Sequence, residues 1–514
     1  MESGNSSGVL QAKYKRIIAI VIGGLLISAI GIAIWLFRDG RSTRPSEIES
    51  IAILPLRSLD ASDAQIGMGI TDSLIRKVSQ TGLIKIRPMS AIRRYGDSEA
   101  DALSAARELS VDAVLEGTVQ RSAERLRVSV NLLRTSDGAS LWTDQFETRA
   151  SDIFTVQDAI SEKVAAALNL RLDPRQMSAL KKQSTSSLEA YEYYTKGRAA
   201  QEQFNPSIGD MQAVSTAADY FERATESDPD YALAYAALGY TYIWISNFND
   251  TSDPKWVQMG LDALARAEEL DPNLAEIHTA RFEYYFSLNG GWNISRAAQE
   301  ARKAKEVDPG SGRYSLATVY DHLGLNETVG LGELKKALDI DPTDVGLQNR
   351  YAESLQLYGK LDESNNVNVK YFGKPRPSAL ILMGRGAEAI PLLEQEVEKN
   401  PGSLVSRSYL ALAIALAGDQ TAAIESVPVI VKDATKNRAY HHVTYNVASI
   451  YALSGNAAEA VKWLRETADN GMPNYPLIAR DKNLDGIRES AEFKEFIGNV
   501  RGVWERYRDE IEKP

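Results

Sequence analysis

Four histidines, His278, His322, His441 and His442, and no cysteine bound the chemistry open to this chain of 514 residues. Without a thiol there is no disulfide framework, thiolate zinc site, iron–sulfur cluster or cysteine nucleophile. A hydrolytic triad needs a serine, a histidine and an acid brought together. Here His278 falls where a helix wants a bulky aromatic, and His322 precedes a turn. His441 and His442 are adjacent, and adjacent helical side chains point about 100° apart, so the pair reads as a poor chelate. Glu268 and Glu269 follow a helix surface as solvated charge. Gly67-Met68-Gly69 has the start of a dinucleotide loop, but position 72 is Asp72 where the third glycine belongs, so a structural turn is expected. No GxxxxGK[ST] segment occurs, which excludes a P-loop. The expectation is a non-enzyme with no catalytic residue, no metal and no cofactor.

The charge balance narrows the partners. Lys plus Arg total 58 against 69 Asp plus Glu, a net charge of −11 with a pI near 5.2. Nucleic-acid binding needs a basic face, so none is expected. A charged fraction of 25% and a hydrophobic fraction of 44% describe an ordinary globular chain. At roughly 150 residues per domain its length suggests about three domains.

The first element to place is residues 17–37, an apolar run whose only polar side chain is Ser28. As a helix it would rise about 30 Å, the thickness of a hydrocarbon core, with Trp35 near one interface. A cleavable signal peptide is the alternative, but its apolar region is shorter and ends at a small-x-small site. This run ends Trp-Leu-Phe-Arg. An uncleaved, single-pass transmembrane helix is expected. Lys13, Lys15 and Arg16 precede it and Arg38, Arg41 and Arg44 follow, so the positive-inside count is nearly tied. A lone N-terminal anchor favours residues 1–16 as a cytoplasmic tail with the bulk of the chain outside.

Residues 38–50 are polar with Gly, Pro and Ser, a linker. A small α/β domain is expected over 51–175. Ile51 to Leu56 is a short apolar run, a buried strand; Ile66 to Val78 has helical spacing; Leu83 to Ile86 resumes a strand. Ala100 to Leu109 is a second helix. Ala113–Val119 and Leu126–Leu132 form a hairpin, a third strand lies around Ser140–Phe146, and Val156–Leu170 closes as a helix. The order β-α-β-α-β-β-β-α predicts a mixed sheet. Ile51–Leu56, Gly69-Ile70-Thr71 with Leu74-Ile75, Val114–Val119, Leu141-Trp142 and Asp152-Ile153-Phe154 with Gln157-Asp158 resemble the TolB amino-terminal-like domain. That resemblance implies a non-enzymatic module found beside tetratricopeptide arrays in bacterial signalling and regulatory proteins. With the apolar run it implies a bacterial inner-membrane protein, its bulk periplasmic.

The remainder is repetitive. Asp-Pro recurs at 228–229, 271–272, 308–309 and 341–342, with Asn400-Pro401 as a variant, and the proline separations are 43, 37, 33 and 59. A period near 34 with insertions is that of helix–turn–helix repeats. Ala217, Phe221 and Ala224 before Pro229, then Tyr235, Leu238, Gly239 and Tyr242 after it, resemble the tetratricopeptide repeat (TPR) family. An all-α TPR solenoid of about seven units is expected over 187–500. Its closing cap runs from Asn474 through Phe496, since a last repeat otherwise exposes its apolar face. Twelve of the 23 tyrosines lie between Tyr191 and Tyr320 and suit inter-helix packing.

Stacked hairpins make an extended groove lined by the first helix of each. In the two best repeats the lining would be Leu233, Ala236, Tyr240 and Ile243, then Glu276, Thr279, Glu283 and Phe286. Leu233, Tyr240, Ile243, Thr279, Glu283 and Phe286 are the candidate partner-binding residues. The carboxylate clamp of TPR proteins uses Lys and Asn where this chain has Ala236 and Tyr240, so an extended peptide with apolar or basic side chains fits better. The function expected is a membrane-anchored protein-interaction scaffold. The alternative is a signal-transduction receptor or transcription-regulator relative lacking its own output domain.

Overall fold

The computed structural model describes residues 48–513, apart from 59, 61–63, 97–100, 123, 204–210, 249–252 and 435–438. The expected transmembrane helix at 17–37 and the tail before it lie outside the described residues. No helix among the described residues is long and apolar enough to cross a membrane. That corrects both the anchored fold class and the inner-membrane, periplasm-facing placement. The longest described helix, Ala491–Glu512, carries Arg501, Glu505, Arg506, Arg508, Asp509 and Glu510, charges that a hydrocarbon core would not accept.

The N-terminal part is a mixed sheet in the order β3-β1-β4-β5-β6, with β2 also on β4. Strand β1 (Ser50–Ile53) is buried at every position, because it lies between parallel partners β3 (Lys85–Ile86) and β4 (Ala113–Ser122). Strands buried on both faces read as continuous apolar runs. Pro55 has no N–H to give the ladder, and the chain re-enters the sheet only at β2 (Arg57–Ser58). Strands β4, β5 (Arg125–Arg134) and β6 (Ser140–Arg149) form an antiparallel meander. Leu126, Val128, Val130 and Leu132 alternate along β5 and are all buried. Helices α1 (Ala64–Ser79), the short α2 (Met89–Ile92), α3 (Ala102–Glu108), α4 (Ile153–Ala167) and α5 (Pro174–Lys181) accompany the sheet.

Gly67 and Gly69 lie inside α1, not in a turn. A Cβ on Gly67 would sit 2.1 Å from the Leu56 carbonyl oxygen, so this glycine lets α1 press onto the strand region. A Cβ on Gly69 would sit 2.5 Å from Thr195 Cγ2, so the second glycine brings α1 against the first helix of the array.

The rest of the chain is a helical repeat region. Antiparallel hairpins follow one another: α6 (Leu188–Gln203) with α7 (Met211–Ser227), α8 (Ala232–Phe248) with α9 (Pro254–Leu270), and α10 (Ala275–Tyr285) with α11 (Ile294–Val307). Next come α12 (Arg313–Leu323) with α13 (Glu327–Ile340), and α14 (Val345–Leu357) with α15 (Leu361–Phe372). After these stand α16 (Pro377–Leu382) with α17 (Gly386–Lys399), α18 (Leu404–Leu416) with α19 (Gln420–Ala434), and α20 (Tyr440–Leu453) with α21 (Ala457–Asp469). Small residues set the close packing: Ala217, Ala224, Ala234 and Ala236 are fully buried around Phe221 and Tyr231.

Helix α22 (Tyr475–Arg480) and helix α23 (Ala491–Glu512) end the chain. They return to the middle of the array rather than extending it. Ile511 is buried with Phe286, Trp292 and Leu323, and Trp504 and Tyr507 pack on the same cluster. Ser295 donates to Glu510, Arg302 donates to the Ile511 carbonyl, and the Asn326 N–H donates to Glu512 at 2.8 Å. The array is thereby closed on itself.

Candidate functional site

Helix α1 and the inner face of the array enclose a cleft of about 940 Å³. The helical period supplies its lining. On α1, Asp72, Arg76 and Ser79 share one face; on α6, Tyr194 and Arg198; on α8, Leu233, Ala236, Tyr240 and Trp244; on α10, Glu276 and Thr279. A second hollow of about 420 Å³ shares Tyr240, Trp244 and Thr279 and adds Phe248, Glu283 and Tyr314. Tyr240 and Trp244 stand 5.0 Å apart between ring centres.

The expected groove residues divide. Leu233, Tyr240 and Thr279 line the cleft, and Glu283 lines the second hollow. Ile243 is fully buried against Leu264 and Ala280. Phe286 is buried too, stacked on Phe282 with ring centres 5.4 Å apart. Ile243 faces α9 and α10, whereas Trp244, four residues on from Tyr240, stays on the cleft face; Phe286 follows the last residue of α10 and packs back on Phe282 and Trp292. Asp72, Arg76 and Arg198 join the cleft only because the N-terminal domain is seated on the repeats. Their only sequence signal is the i, i+4 spacing of Asp72 and Arg76.

The seat is built from the Asp-Pro pairs. Each aspartate ends a helix and accepts the backbone N–H two residues on: Asp230 to Asp228 at 3.0 Å, Asn273 to Asp271 at 3.2 Å, Gly310 to Asp308 at 2.9 Å and Thr343 to Asp341 at 3.1 Å. Each also takes a contact from the N-terminal domain or its connector. Thr185 donates to Asp228, Lys182 pairs with Asp271 at 2.7 Å, Ser79 donates to Asp308 at 3.2 Å, and Ser90 donates to Asp341 at 3.0 Å. Arg87 adds two hydrogen bonds to the last carbonyls of α13, Asp339 at 2.8 Å and Ile340 at 2.6 Å. A cation there also meets the negative end of the helix dipole. Beside the cleft, Ser73 donates to Gln157 at 2.8 Å, and Gln157 donates to the Tyr191 hydroxyl at 2.8 Å, tying α1, α4 and α6 together.

Inside the cleft charges of both signs face each other. Arg76 lies 3.9 Å from Asp72. Burial works against its charge, but Tyr194, Asp72 and Glu276 outweigh burial and hold the guanidinium above its ordinary value. Arg198 is raised in the same way, against burial, by Tyr194, Asp72 and Glu276. Burial pushes the Tyr194 hydroxyl up to about 12 and raises the Glu276 carboxyl. Two guanidinium groups, two carboxylates and an aromatic pair on an apolar floor can grip a segment that carries both charge and apolar side chains.

The histidines separate from this cleft. His278 is paired with Glu300 at 2.7 Å. His322, His441 and His442 come together elsewhere, with one nitrogen of each lying within 4.8 Å of the others. Burial holds the His442 imidazole down to about 4.

Residues 46–163 match the family described as HilA/YgeH-like transcriptional regulator, second domain. The TolB amino-terminal-like assignment suggested by the motifs of 51–175 is not the one matched. A Rhizobium meliloti (strain 1021) protein named "Putative adenylate cyclase 3" is 29% identical over 191 residues, 37% of this chain and 32% of that protein. The chain thus spans about a third of that relative's length. Among solved structures, a tetratricopeptide repeat protein from Parabacteroides merdae is 12% identical, covering 59% of this chain and all of its own, with a TM-score of 0.29. The P58(IPK) TPR domain is 16% identical, covering 71% and 89%, with a TM-score of 0.25. Scores of that size carry no argument, and the repeat assignment rests on the hairpins and on their Asp-Pro punctuation.

Proposed function

We propose that this chain is a protein-interaction scaffold of a bacterial regulatory type, which takes an extended segment of a partner protein into the cleft between α1 and the inner face of the repeats. The observation that carries this reading is the cleft itself: its walls come from both halves of the chain, and its floor joins Tyr240 and Trp244 to Arg76, Arg198 and Glu276. Arrays of helical hairpins present extended surfaces of this kind to partners. The pairing of both charge signs favours a segment with basic and acidic groups flanking apolar ones, broader than the apolar or basic peptide that the repeats alone suggest. Tyr240, Leu233, Thr279 and Glu283 remain binding candidates. Ile243 and Phe286 support the wall from behind.

The test is selection of a randomised peptide library displayed on phage against the full chain, and then against Tyr240→Ala/Thr279→Arg. The reading expects enriched peptides whose binding is lost in the double variant while its melting temperature stays close to the parent's. Peptides that bind both proteins equally, or no enrichment, would refute it.

The similarity to the Rhizobium meliloti protein supports a second reading, a part in cyclase-type signalling. If this chain made cyclic AMP itself, incubation with ATP and Mg²⁺ would release it. The scaffold reading expects no release above a heat-denatured control.

A further inference from the structure

We propose that His322, His441 and His442 bind a divalent transition-metal ion of the zinc class where the start of α20 meets the end of α12. The three residues come from two helices more than a hundred positions apart, yet their ligand nitrogens lie within 4.8 Å of one another. Ring centres are 5.3 Å apart for His322 and His441, 5.6 Å for His322 and His442, and 4.5 Å for His441 and His442. Tetrahedral zinc with Zn–N bonds of about 2.0–2.1 Å places its nitrogens roughly 3.4 Å apart, so side-chain rotations of about 1 Å close the site. The adjacent pair contributes as two prongs at the start of α20 because the third ligand comes from another helix.

The surroundings suit a metal. His322 Nδ1 faces two acceptors, the Thr318 carbonyl and Asp321 Oδ1, each at 2.9 Å. That fixes the proton on Nδ1 and turns Nε2 into the lone pair, the carboxylate–histidine arrangement that orients metal-binding imidazoles. Arg350 lies 3.2 Å from the same nitrogen but donates to Asp321 Oδ1 at 2.6 Å and, through its other branch, to Glu353 Oε2 at 2.8 Å. The other carboxylate oxygen of Glu353, Oε1, lies 3.8 Å from His442 Nε2. Asp321 and Glu353 face Arg350, and Arg376 also acts on Glu353, so the fixed charges around the imidazoles nearly cancel. His322 and His441 are buried, whereas His442 retains 16% side-chain exposure and gives an ion its way in. Imidazole ligands select zinc, nickel or copper over magnesium or calcium.

The ion would clamp the returning end of the array to its middle, and the experiment uses the full chain freed of metal with EDTA. Zinc chloride should bind at one equivalent and raise the melting temperature. Cobalt(II) in its place should give the visible absorption of a low-coordinate, nitrogen-ligated centre. His442→Ala should lose that stoichiometric binding, His278→Gln should keep it, and Asp321→Asn should weaken it by about 10–100-fold. In the unmutated chain, zinc should abolish diethyl pyrocarbonate modification of His442, as read by mass spectrometry, which needs no variant to fold. Absence of one-equivalent binding, undiminished binding in a folded His442→Ala, or modification of His442 unaltered by zinc would each overturn the proposal.

Discussion

Glu276 shows how one cleft residue can be tuned by what faces it. Arg76 on α1, Arg198 on α6 and Asp308 beyond α11 surround it, and burial raises its carboxyl despite the two cations. A carboxyl that binds its proton more tightly in the folded chain favours folding fully below its ordinary value of 4.5. That contribution is lost as pH rises through the folded value. Glu276→Gln is therefore expected to melt higher than the parent at pH 7, with the two curves converging as the pH falls to about 4. A melting series from pH 4 to pH 8 checks this, and a gap that widened toward acid would contradict it. The cost of holding this charge in the cleft is the kind of local sacrifice that binding sites make.

At the level of elements, the Asp-Pro pairs have two jobs that mutation can separate. Ser90 touches Asp341 only as part of the docked domain, whereas Asp341 also closes the turn after α13 through Thr343. Ser90→Ala is expected to cost about 1 kcal/mol, the worth of one hydrogen bond. Asp341→Ala should cost roughly 2 kcal/mol or more, since the turn loses its acceptor as well. Urea midpoints of the two single variants and the double variant measure the shared part, and full additivity would show that the contact does not dock the domain. These aspartates also mark how far the sequence could be read. Asp-Pro spacing announces where helices stop because proline acts locally, and β5 shows itself by the alternation from Leu126 to Leu132. The second partner of each aspartate lies between 43 and 251 residues away and leaves no local trace. The same holds for the three histidines, whose convergence needs the array to curl back, and for Gly67 and Gly69, which read as a turn but serve two close approaches. In the cleft, repeat logic alone places Leu233, Ala236, Tyr240, Glu276 and Thr279 on the lining. It chose Ile243 over Trp244 by a step of one residue.

For the molecule as a whole, the return of α23 changes how stability is distributed. In an open solenoid each hairpin feels only its neighbours, so unfolding can proceed piecemeal. Here Trp504, Tyr507 and Ile511 pack with residues from α10, α11 and α12, adding a contact between distant parts of the chain. Removing residues 501–514 is expected to replace a single cooperative melt by two resolved transitions, the later hairpins first. Calorimetry of the shortened and full chains checks it; one unbroken transition in both would show that the closure contributes no coupling.

That closure also has a mechanical meaning. A linear stack of hairpins is a spring whose length follows any load on its ends. A stack whose last helix is fastened to its third and fourth hairpins works like a buckled belt. Tension on residue 513 falls on the buckle, made by Ser295, Arg302 and Asn326 gripping α23. The hairpins between α13 and α21 carry no load until it opens. They then come free together as slack, so the chain would respond to force in one step where an open stack stretches gradually.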